Sequence, residues 1–523
     1  MNEPLAPTPA LPGLESAGAG TLQPAVPAGS AARPRVQPVD RSQMVWRTVD
    51  VEQLIEPDHP ARALWELTGR LDLSGFYAPI AAVEGVAGRT PWDPRLLISL
   101  WIYAYSRGIG SAREMARRCA YDPAFQWLCG LAEINYHTLS DFRVAHDAAL
   151  QELFAQVLGV MSAEGLVTLE RVMHDGTKIK AWAGADSFRR EERLRAHLEA
   201  ARAQVAAMGD PRAEESPRQR AARARAGRQR QARLEQAQAE LEKIRAVKTG
   251  AEAAAQARVS LTDPQARVMK QPDGGYAPSY NVQLSTDAAH TVIVGAGVSQ
   301  CGSDYGELVG GVQRVAQNLD QKPAQMVADG GFTSRENIVR LAAQGVDFIG
   351  SLGEHTSQAE SQLRRRGVAE AFYPEAFAYD ATSDTYRCPA GQTLRHEGQR
   401  LRPGAVEHQY RAEAAVCAAC PFRAQCCPHN EGRGRSLTRT EEAPEVRAFA
   451  EKMQTPEAKA IYRQRGAVAE FPNAWLKAKL GLRQFHLRGL AKVLLEVLWA
   501  ALAYNLAVWT RLSWRPSLAA VGS

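Results

Sequence analysis

Two aspartates stand in matching surroundings. Asp175 in "VMHDGTKIKA" and Asp329 in "AQMVADGG" each close a run of strand-forming residues and each precede a glycine. A carboxyl group at the end of a buried strand is either a turn residue or part of a site. Two such groups brought together from neighbouring strands repel unless a divalent cation neutralises them. Mg²⁺ held by one or two carboxylates, with waters and phosphate oxygens completing its octahedron, is the usual arrangement for phosphoryl transfer; a second ion about 4 Å away needs one more acid. A different chemistry is spelled by cysteines. Cys388 in "YRCPAGQ" and Cys417, Cys420 and Cys426 in "CAACPFRAQCC" have the spacing of a tetrahedral structural zinc site, with Cys427 or His429 as substitutes for Cys426. Cys119, Cys129 and Cys301 fit ordinary burial.

These residues need elements to position them. Residues 44–165 read as helical, with apolar residues at three- and four-residue spacing near 60–70, 93–106, 111–119 and 147–164. Within them, "GSAREMARRCAYDPAFQWLCG" and "NYHTLSDFRVAH" suggest short helices and tight turns projecting Arg113, Arg117, Arg118 and Arg143, a spacing common to helix-turn-helix units and to plain helical domains. From 187 to 248 the composition turns to Ala, Arg, Glu and Gln; Leu194, Leu198, Ala201, Val205 and Met208, then Leu234, Ala237, Leu241 and Ile244, mark two narrow seams on either side of "GDP" at 209–211, the pattern of an antiparallel helical hairpin. Next, "SYNVQLSTD" alternates and "HTVIVGAGVSQ" is β-branched, so 279–300 reads as an antiparallel strand pair. A helix over 303–318, a strand ending at Asp329, a helix capped by Thr333 with Glu336 as its capping-box partner, and the strand "VDFIGSL" follow. The order β-β-β-α-β-α-β is that of an α/β, ribonuclease H-like mixed sheet with helices on both faces, the hairpin being inserted after its first strand.

With 523 residues and 45% hydrophobic content the chain is long enough for two or three domains; a net charge of +6 and a pI near 8.9 permit a polyanionic partner without requiring one. Residues 1–43 are rich in Pro, Ala and Gly, read as a disordered tail, and lack the pattern of a signal peptide. The apolar stretch 493–509 is broken by Glu496 and Asn505 and reads as a buried helix, so no membrane partner and a cytoplasmic, nucleoid-associated location are expected.

Taken together, "HDGTKIKA", "VADGGFTSRENI" and "YRQRGAVAEFPNAWLKAKLGLRQFHLRGLAKV" resemble the three catalytic blocks of a DDE transposase of the IS4/IS5-like superfamily, closest to the IS1182 family, over roughly residues 44–512. The family's Tyr, Arg, Glu, Lys signature maps to Tyr462, Arg465, Glu470 and Lys477, with four residues between Arg465 and Glu470 where the signature has three, and with Arg463 as the alternative arginine. Glu470, Ala474 and Lys477 step by four and three, which puts them on one helical face, and Pro472 starts or kinks that helix. The resemblance implies that Asp175, Asp329 and Glu470 hold two Mg²⁺ (or Mn²⁺) ions. It implies further that Tyr462, Arg465 and Lys477 hold phosphates and that the run "KLGLRQFHLRG", with Lys479, Arg483, His486 and Arg488, extends the DNA track. Its expected partners are double-stranded DNA, as terminal inverted repeats and target, and further copies of the chain in a homodimer or higher oligomer.

The division expected is a tail (1–43), a helical N-terminal DNA-binding domain (44–165), a core in two parts (166–186 with 251–355, and 446–512), the hairpin (187–250), a cysteine-rich zinc-binding insertion (356–445) and a second tail (513–523). A structure-specific nuclease on the same fold, or a domesticated DNA-binding protein without catalysis, are the alternatives. Glu496 competes with Glu470 as third acid, unless it forms a structural pair with a buried Arg or Lys.

Overall fold

Asp175, expected at the end of a strand, lies in the middle of one strand of a mixed sheet, and Asp329 follows directly on another strand of the same sheet. Its central strand β1 (Arg171–Lys180) runs antiparallel to β2 (Tyr276–Asp287), with Asp175 opposite Leu284 and Gly176 opposite Gln283. The far edge of β2 pairs antiparallel with β3 (Ile293–Ser299) and with a short strand, Arg267–Lys270. On its other side β1 pairs in parallel with β4 (Gln325–Ala328), and β4 in parallel with β5 (Asp347–Ile349), so the strands lie in the order β3-β2-β1-β4-β5. This computed structural model describes residues 44, 46, 48–82, 90–209, 215–351, 355–429 and 432–521; the tail expected over 1–43 and most of the "GDP" break lie outside them.

Helices α1 (Pro60–Thr68), α2 (Pro94–Ser106), α3 (Ala112–Tyr121), α4 (Pro123–Cys129), α5 (Tyr136–Ala145) and α6 (Asp147–Ala163) precede the sheet. They do not form a body of their own. Their buried side chains, Trp101, Phe125 and Leu153 among them, run without a break into those of the sheet, and Val51–Ser523 is one unit. Arg143 illustrates this: it does not project but lies buried, donating to the Gly110 carbonyl (2.6 Å) and stacking 4.6 Å from the Trp101 ring.

Two helices between β1 and β2, α7 (Glu191–Ala206) and α8 (Pro217–Ala246), pack on each other through Leu194, Leu198, Ala201, Leu234, Ala237 and Leu241, a core separate from that of the sheet. The crossovers between the parallel strands are α9 (Leu308–Leu319) and α10 (Arg335–Ala343). The cap of α10 is Ser334, whose hydroxyl accepts from the Asn337 amide at 3.0 Å; Thr333, the expected cap, donates to the Asp329 carbonyl instead (3.2 Å) and is thereby tied to the turn after β4.

The cysteine-rich segment builds a second sheet of five strands, the longest being Thr393–Arg402, Ala405–Ala412 and Ser436–Glu442, over its own core of Phe372, Phe377, Leu394 and Tyr410. Arg335 of α10 grips Glu442 in it with two hydrogen bonds of 2.7 and 2.6 Å. The chain then returns through α11 (Pro456–Arg465) and α12 (Phe471–Ala478) to α13 (Leu490–Trp509).

Helix α13 begins an apolar stretch, Leu490–Ala519, long enough to cross a membrane, yet 89% of its most apolar window is buried inside the chain. Its polar residues are satisfied there. Asn505 exchanges hydrogen bonds of 2.9 and 2.8 Å with the backbone of Ile293 in β3, and Trp499 donates to the Arg143 carbonyl at 3.2 Å. One helix thus joins the N-terminal helices to the sheet edge.

Candidate active site

In the parallel pairing of β1 with β4 the last partners are His174 and Ala328, so Asp175 and Asp329 are the next step in register. Asp329 leaves the strand into a turn in which its carboxyl accepts from the Gly331 amide at 2.8 Å. Asp175 lies deeper. Burial first, and the neighbouring Asp329 second, push its carboxyl up to about 6, against the opposing pull of Arg465, the Gly176 amide and Asn473.

The glycine after Asp175 is required by what stands behind the strand. A Cβ on Gly176 would come within 2.3 Å of Asp304 Oδ1 and 2.6 Å of Gln283 Nε2. Asp304 is fixed there by Asn281 (2.7 Å) and Gln283 (2.8 Å), and Gln283 is hydrogen-bonded at 3.0 Å to His174, whose other ring nitrogen meets Ser285 at 2.9 Å. Desolvation, with Arg314 nearby, pushes fully buried His174 down to about 3, so it is a neutral member of this network. The sheet's back face is therefore polar and sealed, and it holds β1 rigid under Asp175.

The front face is covered by the third block. Between α11 and α12 runs a π-helical turn, Gly466–Glu470, where residues five apart become neighbours. That turn accommodates the four-residue separation and sets Arg465 3.5 Å from Glu470. Arg465 also lies 5.9 Å from the Tyr462 ring. Arg463 is exposed, donates to the Lys459 carbonyl at 3.3 Å and lines a separate surface cavity with Tyr462 and Ser351, so Arg465 is the arginine beside the acids. Glu470 itself is 63% exposed.

One turn further on, α12 lies along β1. Asn473 donates to Asp175 Oδ2 at 2.9 Å, and Lys477 donates to Thr177 Oγ1. The match is geometric: residues four apart on a helix advance about 6 Å, and residues two apart on a strand about 6.6 Å. Asn473, not the exposed Ala474, is thus the residue of this face that touches the strand. Burial lowers the Lys477 ammonium, opposed by Asp175 and reinforced by Arg483 and Lys178. Neither Asn473 nor Thr177 stands out in the sequence; the only signal for Asn473 is its three- and four-residue spacing from Glu470 and Lys477.

Beyond α12, Lys479, Arg483 and Arg488 are exposed while Leu480, Leu482 and Phe485 are buried. Backbone bonds of 3.2 and 2.9 Å tie Arg483 and Phe485 to Lys180 at the end of β1. His486 is held through one ring nitrogen: its Nδ1 meets Glu496 Oε1 at 2.9 Å, the same carboxyl accepts from the amides of His486 (3.0 Å) and Leu487 (3.0 Å), and the ring stays 39% exposed. Glu496 is fully buried and its partners are these groups, not the Arg or Lys expected.

Cys388, Cys417, Cys420 and Cys426, with Cys427, line one small cavity of about 20 Å³. Backbone amides of Gln392 and Arg435 point at the sulfurs of Cys388 (3.3 Å) and Cys417 (3.4 Å), and burial pushes the Cys426 thiol up to about 12. His429 lines a different cavity with Cys427. Cys301, expected to be buried, is exposed, because the Cys301 carbonyl rather than its thiol faces inward to Asn281 (3.1 Å). Among the described residues no group of three or more His, Cys, Asp or Glu side chains is drawn together to hold an ion, either here or around Asp175. The donors around Asp175 nonetheless suit a hard cation: two adjoining carboxyl groups, one partly desolvated, beside a buried Asn473 Oδ1 with no hydrogen-bond partner.

Residues 387–509 match the family model of a transposase DDE domain, and residues 49–145 that of a transposase domain, DUF772. The two matches support a DDE transposase. The first spans the cysteine segment and the third block with Glu470, and begins after both aspartates. Among solved structures, a cryo-EM piggyBac transposase synaptic complex with hairpin DNA aligns at 8% identity over 86% of this chain and 74% of that one, with a TM-score of 0.29. No curated protein matches.

Proposed function

We propose that the chain is the transposase of an insertion sequence, of the IS4/IS5-like superfamily and closest to the IS1182 family, with a ribonuclease H-like core, acting as a homodimer or higher oligomer on double-stranded DNA. The observation that carries the reading is the parallel register of β1 with β4, which places Asp175 beside Asp329 under a helix bearing Asn473 and Lys477. Asp175, Asp329 and Glu470 are the residues that would hold two Mg²⁺ or Mn²⁺ ions, which supply an activated water or 3′-hydroxyl and neutralise the departing oxygen when bound.

The chain's own residues do the rest. Asn473 fixes the Asp175 carboxyl, and the polar network behind Gly176 keeps its strand from shifting. Among the described residues Glu470 is held by one partly exposed ion pair, worth under about 1 kcal/mol, so it can exchange Arg465 for another partner at small cost. Arg465 and Tyr462 are then available to a phosphate, and Lys477, anchored on Thr177, presents its charge to the scissile bond. Lys479, Arg483 and Arg488 extend the track. The thiols of Cys388, Cys417, Cys420 and Cys426 around one cavity support a structural zinc site in the 356–445 insertion.

The test is cleavage and strand transfer on duplexes carrying the element's terminal inverted repeats. Asp175→Asn, Asp329→Asn and Glu470→Gln should each abolish Mg²⁺-dependent cutting while leaving end binding intact. Cutting near the wild-type rate by any of them removes that residue from the site. Cutting without joining by the wild-type protein would favour a nuclease.

A further inference from the structure

The inserted hairpin has a charge pattern that its own packing does not use. Between residues 217 and 233 helix α8 carries seven arginines and no acid. Arg223 is paired with Glu215 at 2.8 Å, and Arg230 donates to Gln204 at 3.1 Å. Arg233 is different. It faces the body of the protein, where its neighbours are Arg488 and Arg230, and its buried Nε has no hydrogen-bond partner. Burial, then those two like charges, lower its guanidinium. Arg488 is itself fixed by donating to the Trp182 carbonyl at 3.3 Å. An acid beside Arg488, Asp263, is already engaged, accepting from the Tyr280 hydroxyl (2.8 Å) and the Gly489 amide (3.1 Å). At the other end of the same loop Lys477, Arg483 and Lys178 are likewise close to one another. Cations gathered in this way repel, and a polyanion laid across them removes the penalty.

We propose that the hairpin is a second contact for duplex DNA: a line of phosphates leaves Lys477 and Arg483, passes Arg488, and continues over Arg233 and Arg230 along the N-terminal half of α8. This rests on the reading of the Lys477 end as the place of the scissile phosphate. Charge complementarity selects the occupant, and length agrees with it. Seventeen residues of helix extend about 25 Å, the rise of about seven base pairs. The C-terminal half of α8 is anchored, by the apolar core at Leu234, Ala237 and Leu241 and by Glu240 on Arg267 of the sheet's short strand, and the arginine-bearing half extends from that anchor.

The experiment is binding of the full-length protein to a 40-base-pair duplex of arbitrary sequence, without divalent ions, across a NaCl series. The slope of log affinity against log salt changes by about 0.9 for each phosphate that is no longer neutralised. The triple variant R228Q/R230Q/R233Q should flatten the slope by about two to three and weaken binding more than tenfold, with helix content by circular dichroism unchanged. The R228K/R230K/R233K variant should restore both. R218Q/R220Q, at two exposed positions of the same helix, should flatten the slope by about one to two, a readout that stands even if the triple variant misfolds. A glutamine variant that keeps the wild-type slope, in a protein that binds and cuts DNA, overturns the hairpin contact alone. Absence of salt-dependent duplex binding by the wild-type protein overturns the proposed function as well. Tighter binding to an RNA duplex of the same length would overturn the choice of DNA.

Discussion

Replacing Glu496 by glutamine should cost stability without touching chemistry. The carboxyl group is fully buried and accepts from three donors, the amides of His486 and Leu487 and the His486 ring, at 2.9–3.1 Å. Glutamine offers one oxygen where there were two and turns an NH₂ group toward donors. At least one bond is lost, and a buried N–H is left facing another. A hydrogen bond to a charged group contributes about 1.5–3 kcal/mol, and breaking a buried charged contact from one side costs about 3–5 kcal/mol. Against the roughly 5–15 kcal/mol of a folded domain this is a large fraction. The assay is urea unfolding followed by tryptophan fluorescence, since Trp101, Trp499 and Trp509 are buried around α13. Glu496→Gln should lose about 3–5 kcal/mol while each folded molecule still cuts DNA. Glu470→Gln should unfold within about 1 kcal/mol of wild type, because its ion pair is largely exposed, and should not cut. A shift below about 1 kcal/mol for Glu496→Gln, or cutting abolished in its folded fraction, would refute the assignment of Glu496 to structure.

Two further outcomes are expected. The Asp175 carboxyl is pushed from 3.8 to about 6, so between those values the folded protein keeps a proton that the unfolded chain has released. The stabilisation is complete below the lower value and lost as pH rises through the upper one, by at most about 3 kcal/mol. Urea midpoints in chelator-containing buffer should therefore place Asp175→Asn above wild type at pH 7 and level with it below pH 4; a constant difference across this range would show that burial of Asp175 carries no such penalty. Cys417→Ser with Cys420→Ser should lower melting temperature and zinc content together, and elemental analysis finding no zinc in the purified wild-type protein would leave the thiols as plain packing.

The sequence carries the strand end at Asp329 and the seam of the hairpin because β-branched runs, glycines and helical spacing are local signals, but it misplaces Asp175, which lies in the middle of β1 because pairing with β2 carries the strand on through Gly176 to Lys180. What it hides lies between residues far apart. Asn473 meets Asp175 across 298 positions, and no periodicity reports such a contact. Alternation in "SYNVQLSTD" gives two faces but not what covers them: the polar face, Ser279, Asn281, Gln283 and Ser285, is as buried as the apolar one, sealed by His174 and Asp304. The extra residue before Glu470 is visible as a count, whereas its absorption in a π turn depends on how α11 and α12 seat against the sheet. The N-terminal helices read as a separate domain because their amphipathic pattern says only that they bury a face. That the face is buried on α13 and the sheet is a tertiary fact.

Helix α13 also dictates an order of events during synthesis. Strands β1 and β4 are translated before it, and both aspartates are present long before Leu490 is added. Until α13 arrives, β3 lacks the Asn505 side chain that meets Ile293, the Arg143 carbonyl lacks Trp499, and the loop of His486 has no Glu496 to close on. A ribosome that stalls or terminates ahead of this helix therefore releases a chain with Asp175 and Asp329 present and its apolar surfaces open, a substrate for proteases.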